Sequence, residues 1–108
     1  HHKYNFPAYY VTENGYAEEA VFENGEMQPD AGRLDYYQRH ISEVGRAVLN
    51  GIPVKGYYGW SMFDNFEWSH GYGKRFGMVH VDYDTLARTP KASAKWFSEL
   101  IKEHRELR

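Results

Sequence analysis

The chain has 108 residues, of which 42% are hydrophobic and 26% charged, with a formal net charge of −2. That is the length and composition of one small globular unit, and the charge gives no strong pull on nucleic acid or an anionic membrane surface. There is no Cys, hence no disulfide, and no stretch long and apolar enough to span a membrane.

Aromatic content is high, at 18%, and suggests binding through rings, with aromatic core packing as the alternative. No Asn-x-Ser/Thr sequon and no signal-peptide pattern occur, so a cytoplasmic location is favoured, although the lack of Cys leaves the redox compartment unread. His1-His2 is assigned no function, and residues 1–3 are set aside as a candidate tag remnant.

In chain order, residues 8–13 are a short β-branched and aromatic run after Pro7. It ends at the turn signal Asn14-Gly15, which predicts a buried strand. Residues 23–32, with Gly, Pro, acids and amides, predict a loop. Leu34, Tyr37, Ile41, Val44 and Val48 recur at steps of three or four and predict an amphipathic helix that stops at Asn50-Gly51. Residues 54–60 predict a second strand, with Gly56 and Gly59 where neighbours approach closely. A long aromatic, Gly-containing loop follows from about 61 to 77, then a short extended piece from Met78 to Tyr83. Thr89-Pro90 reads as the start of a last helix, with Pro at its first position and Ala94, Phe97, Leu100 and Ile101 on its apolar face.

Strand–helix–strand–helix order implies parallel pairing with right-handed crossovers. Two parallel strands with open edges are a poor fold by themselves, because parallel sheets are normally covered on both faces. The chain therefore reads as a piece of a larger α/β protein.

Both strands end in residues able to do chemistry. Glu13 closes the first, and Trp60 closes the second. The loop that follows, Trp60-Ser61-Met62-Phe63-Asp64-Asn65-Phe66-Glu67-Trp68, brackets Glu67 with two indoles. An aromatic face stacks on the C–H face of a pyranose, and a carboxylate accepts hydroxyl hydrogen bonds, so this is a sugar-binding composition. Parallel strands place Glu13 and Trp60 on one rim, the rim that carries active sites in α/β barrels. Each residue has a plainer reading. Glu13 could be a turn or N-cap carboxylate instead of a nucleophile or base. Glu67 could be a solvated acid paired with Lys74 or Arg75, and the two Trp could fill a core. Other chemistries are weaker. Six His lack ligand spacing, so no metal is expected, and no cofactor is implied. Gly71, Gly73 and Gly77 lack the strand-turn-helix context of a phosphate loop. No Ser lies in a nucleophile elbow. Stacking of single-stranded nucleic acid on the aromatics is poorly supported by the mixed charges.

Tyr10-Val11-Thr12-Glu13-Asn14-Gly15 resembles the nucleophile signature of glycoside hydrolase family 1, the β-glucosidase family. Trp60 through Trp68, Gly71-Tyr72 and Arg75-Phe76-Gly77 resemble its strand-eight loop. Asp30, Arg33, Tyr36 and His40 fit its helix before the last strand. Val81-Asp82-Tyr83, Arg88, Lys91, Ser93 and Trp96 follow its ending. The resemblance implies the C-terminal quarter of a (β/α)8 TIM barrel, with residues 1–108 supplying strands seven and eight and their helices. It implies a retaining β-glycosidase, whose two catalytic carboxylates lie about 5–5.5 Å apart. Glu13 is then the nucleophile, and Glu67 holds O4 and O6 of the non-reducing sugar. Trp68 donates its indole N–H to a third hydroxyl, Trp60 stacks under the ring, and Phe76 walls the pocket near C6. The family's peptide bond equivalent to Trp60–Ser61 is cis.

Family relatives acting on 6-phosphorylated sugars lack the Glu-Trp pair, so the resemblance favours unphosphorylated β-glucosides, with galactosides or fucosides as minor substrates. The acid/base carboxylate belongs to strand four and is absent from this sequence. The expected partners are a small β-glucoside and a complementary chain with the first six βα units. Alone, the chain is expected to be inactive, since a general acid typically contributes about 10²–10⁴-fold. The alternative is a non-catalytic sugar-binding or scaffold fragment.

Overall fold

The computed structural model describes residues 3–106. Two short strands form its centre. Strand β1 (Tyr9–Asn14) and strand β4 (Val54–Gly59) pair in parallel, as the strand–helix–strand order requires. Between them lie a small hairpin, β2 (Phe22–Glu23) with β3 (Glu26–Met27), and the helix α1 (Ala31–Leu49). After β4 come a one-turn 3₁₀ helix at Trp68–His70, an antiparallel pair of β5 (Val79–Val81) with β6 (Arg88–Pro90), and the final helix α2 (Ala92–Glu106).

Both helices are held at their N-termini by carboxylates from elsewhere in the chain. The first backbone N–H groups of a helix have no partner within it. In α1 the Gly32 and Arg33 N–H groups donate to the two oxygens of Glu18, at 3.1 and 2.9 Å. Asp30, at the N-cap position, makes no cap bond to its own helix. Its carboxylate instead accepts the N–H and the Oγ–H of Ser93 at the start of α2, at 2.9 and 2.5 Å. One buried acid thereby ties the two helices together. The C-terminal stop of α1 falls at Asn50-Gly51, as its sequence predicts, with Gly51 at φ 86° and its N–H bonded to Val48 O.

Three expectations are corrected. The first strand is not buried, since every residue of β1 is half-buried or exposed. The segment 23–32 is not wholly loop, because Asn24 (φ 52°) and Gly25 (φ 79°) make a tight turn that closes the β2–β3 hairpin. Positive φ at both central residues is what such turns need, and Asn-Gly supplies it. Thr89-Pro90 does not start the last helix. Pro90 pairs with Val79 in β6, an edge position where its missing N–H costs nothing, and the helix begins at Ala92.

The apolar core is thin. Tyr37, Met78 and Val81 are the buried hydrophobic residues among those described, whereas Tyr4, Phe6, Tyr10, Tyr58 and Met62 are exposed. The radius of gyration is 16.0 Å, against about 13 Å for a self-contained domain of this length. An apolar groove of about 600 Å³ lies between β5 and α2, lined by Met62, Met78, Val79, Phe97 and Ile101. A two-stranded parallel sheet with such open faces is a part of a larger layered structure.

Candidate active site

The parallel register sets the site. Val11 pairs with Tyr57, and Asn14 with Gly59. Three steps along β1 thus match two along β4, leaving one extra residue around Thr12-Glu13. Such bulges re-aim a side chain at the end of a strand. Glu13 is exposed there and, among the described residues, its carboxylate makes no hydrogen bond or ion pair. No helix follows it, so the N-cap reading fails.

The ends of β1 and β4 are fastened at Trp60. Its N–H donates to Asn14 O at 2.8 Å, and its carbonyl accepts the buried Tyr37 hydroxyl at 3.1 Å. Gly15 lies so close that an added Cβ would fall 1.8 Å from that carbonyl oxygen. Only a residue without a side chain fits this crossing. The Trp60–Ser61 peptide is cis, as the resemblance implies.

Beyond Trp60 the loop folds back on β5. Ser61 N–H donates to Phe76 O at 3.1 Å, and Met78 N–H to Ser61 O at 2.9 Å. The Trp60 indole N–H donates to Glu67 Oε1 at 3.0 Å, which brings the first indole and the carboxylate of the predicted clamp together. Glu67 is therefore not paired with Lys74 or Arg75. Trp60 is 38% exposed and Trp68 84% exposed, so neither fills a core. Phe76 is half-buried and joins the loop through its backbone carbonyl. Glu13 and Trp60 share the rim through the β1–β4 register, Glu67 follows through its bond to Trp60, and Trp68 stands next to Glu67 in open solvent.

Sequence reasoning did not foresee what holds this loop. Asp64 is buried beneath it and accepts from Arg75 at 2.6 Å, Lys91 Nζ at 3.2 Å, and the N–H groups of Gly77 and Val81 at 3.0 and 3.2 Å. Burial alone would raise its pKa, but the Arg75 hydrogen bond and the Lys91 charge prevail and hold it below the usual carboxylate range. Burial, with the Arg33 charge, also lowers the pKa of Lys91. The buried Arg33 guanidinium donates to Tyr16 O, Glu18 O and Arg75 O at 3.0, 3.0 and 2.7 Å and pairs with Asp30 at 2.8 Å. It joins the loop after β1 to the loop after β4. The available signal was weak: single charged residues inside aromatic-rich runs. Among the described residues no cluster of His, Asp and Glu could hold a metal ion.

This rim of two parallel strands, each ending in a group suited to sugar chemistry, is a segment of an α/β barrel of the glycosidase class. The solved β-glucosidase from Thermotoga maritima in complex with deoxynojirimycin superposes with a TM-score of 0.88 at 47% identity, over 94% of this chain and 23% of that one. Among curated proteins, the 1,4-β-D-glucan glucohydrolase of Thermotoga neapolitana is 48% identical over 102 residues, 94% of this chain and 23% of its own length. The β-glucosidase of an Agrobacterium species is 49% identical over 98 residues, 91% of this chain and 21% of its own. The model of glycosyl hydrolase family 1 matches residues 1–106. The chain belongs to glycosyl hydrolase family 1, and it spans under a quarter of the length of these relatives.

Proposed function

We propose that this chain is the part of a retaining β-glucosidase that carries the nucleophile and the glycone-binding loop. In this reading it supplies strands seven and eight, as β1 and β4, and the remaining strands come from a complementary part of the barrel. The observation that carries the reading is the β1–β4 register, which brings the strand ends bearing Glu13 and Trp60 to one rim, together with the Trp60 indole bond to Glu67.

Glu13 attacks the anomeric carbon of a β-glucoside as the bond to the aglycone oxygen breaks. The aglycone leaves with a proton from the acid/base carboxylate, which this sequence lacks. Water, deprotonated by that same group, then displaces Glu13 from the sugar and restores the β configuration. Meanwhile Trp60 stacks under the ring and Phe76 closes the pocket near C6. One Glu67 oxygen is anchored by the Trp60 N–H, and the other, with the remaining lone pairs, is free for O4 and O6. Trp68 offers its exposed indole N–H to a further hydroxyl. A carboxylate at O6 repels a phosphate there, so unphosphorylated β-glucosides are the substrates.

The test is covalent capture. The complete barrel is treated with an activated 2-deoxy-2-fluoro-β-glucoside, digested, and mapped by mass spectrometry. A fluoroglucosyl adduct on Glu13 is expected. No adduct in a complete, folded barrel supports the non-catalytic sugar-binding reading instead.

A further inference from the structure

The residue after the proposed nucleophile is bound on both sides. The Tyr57 hydroxyl donates to Asn14 Oδ1 at 2.5 Å, and Asn14 Nδ2–H donates to the Tyr36 hydroxyl at 3.0 Å. Tyr36 is itself fixed. Its ring stacks on His40 with centroids 3.8 Å apart, and its carbonyl accepts from His40 Nδ1 at 2.8 Å. The Asn14 backbone carbonyl accepts the Trp60 N–H. One residue therefore joins β1, β4 and α1 and also touches the start of the glycone loop. Burial pushes the Tyr57 phenol well above its ordinary pKa, so it stays a donor across the working pH range.

The bulge gives this relay a specific task. Between Val11 and Asn14 the β1–β4 ladder loses register, so Thr12 and Glu13 have no pair on β4 to fix them from that side. The next fixed point is Asn14. Its side chain turns toward α1, whereas the Glu13 carboxylate makes no hydrogen bond to this relay.

We propose that Asn14 is a positioning residue: the Tyr57–Asn14–Tyr36 relay pins the end of β1 and so sets the distance from the Glu13 carboxylate to the bound anomeric carbon. The inference rests on the reading of Glu13 as the nucleophile. A carboxylate free to drift by a fraction of an ångström reaches the anomeric carbon less often, and the loss falls on the chemical step rather than on sugar binding.

The experiment measures the rate of capture by the fluoroglucoside at saturation and the inhibitor concentration at half-saturation. Three variants of the complete barrel are compared with the parent: Asn14→Ala, Tyr57→Phe, and the two combined. Thermal unfolding is recorded in parallel, and capture is measured where each variant is folded. The parent's adduct is mapped first. If it lies on a residue other than Glu13, the functional reading falls, and the inference with it. With the adduct on Glu13, capture is expected to slow about tenfold in Asn14→Ala and at least about threefold in Tyr57→Phe. Half-saturation stays within about threefold, and the combined variant is no slower than Asn14→Ala alone. A purely structural role lowers the unfolding temperature and leaves capture by folded protein unchanged. Capture within about threefold of the parent in folded Asn14→Ala overturns the proposal, and if Asn14→Ala does not fold, the same result in Tyr57→Phe does.

Discussion

Gly15→Ala tests whether the crossing of the two strand ends sets the geometry of the site. The new Cβ would sit 1.8 Å from Trp60 O and 2.9 Å from Trp60 C, whereas real Cβ contacts essentially never fall below 3.0 Å. Something must therefore move by about 1.2 Å. The Trp60 peptide is tied on both sides, by its N–H to Asn14 O and by its carbonyl to Tyr37. Relief on that side shifts the Trp60 ring and, through the indole bond, Glu67. A misplacement of about 1 Å costs on the order of 10²-fold in rate, about 2.7 kcal/mol of barrier. Overpacking also costs about 1–3 kcal/mol in stability. The assay is kcat/KM of the complete barrel on an aryl β-glucoside, at a temperature where circular dichroism shows the variant folded. A fall of about a hundredfold is expected. Activity within about fivefold of the parent in folded Gly15→Ala refutes the claim that this contact sets the glycone loop.

Three further outcomes follow from the same geometry. Asp64→Asn leaves Arg75 and Lys91 facing a neutral amide in a buried pocket and lowers stability by about 3–5 kcal/mol in urea titration. The contribution of Asp64 is fully present above its unfolded pKa and is lost as pH falls through its depressed folded value, so acid unfolding of the parent is steeper than that of Asp64→Asn. Trp68→Phe removes an exposed N–H donor: kcat/KM drops about tenfold, while the unfolding free energy stays within about 0.5 kcal/mol. Burial pushes the Tyr37 phenol up to about 12 against the Arg33 charge, so its stabilising effect is whole below pH 10 and declines as pH rises from there toward 12. Tyr37→Phe, which cannot ionise, shows a shallower alkaline decline by about one proton in linkage analysis.

The two central strands and α1 were legible because their signals are local. Pro7 and Asn14-Gly15 bound the first strand, and the three-to-four spacing from Leu34 to Val48 marks the helix face. The rim was legible too, since parallel strands carry their ends to one side. What escaped depends on contacts across long stretches of chain. Arg33 reaches a carbonyl 42 residues away, and Lys91 an acid 27 away, with no periodic pattern to announce either. Thr89-Pro90 has the composition of a helix start, but pairing with Val79 overrides it. The two indoles and the carboxylate of residues 60–68 were visible as composition. Composition did not show that Glu67 turns to Trp60 while Arg75 pairs with the buried Asp64.

The role of Glu13 is tested most directly by its removal and chemical replacement. In the complete barrel, Glu13→Gly should lose nearly all hydrolysis of an activated β-glucoside. Added azide should restore turnover by attacking the anomeric carbon from the vacated side, so that the product is the α-glucosyl azide. Retained hydrolysis in Glu13→Gly, or a β-configured azide product, contradicts the assignment of Glu13 as the nucleophile.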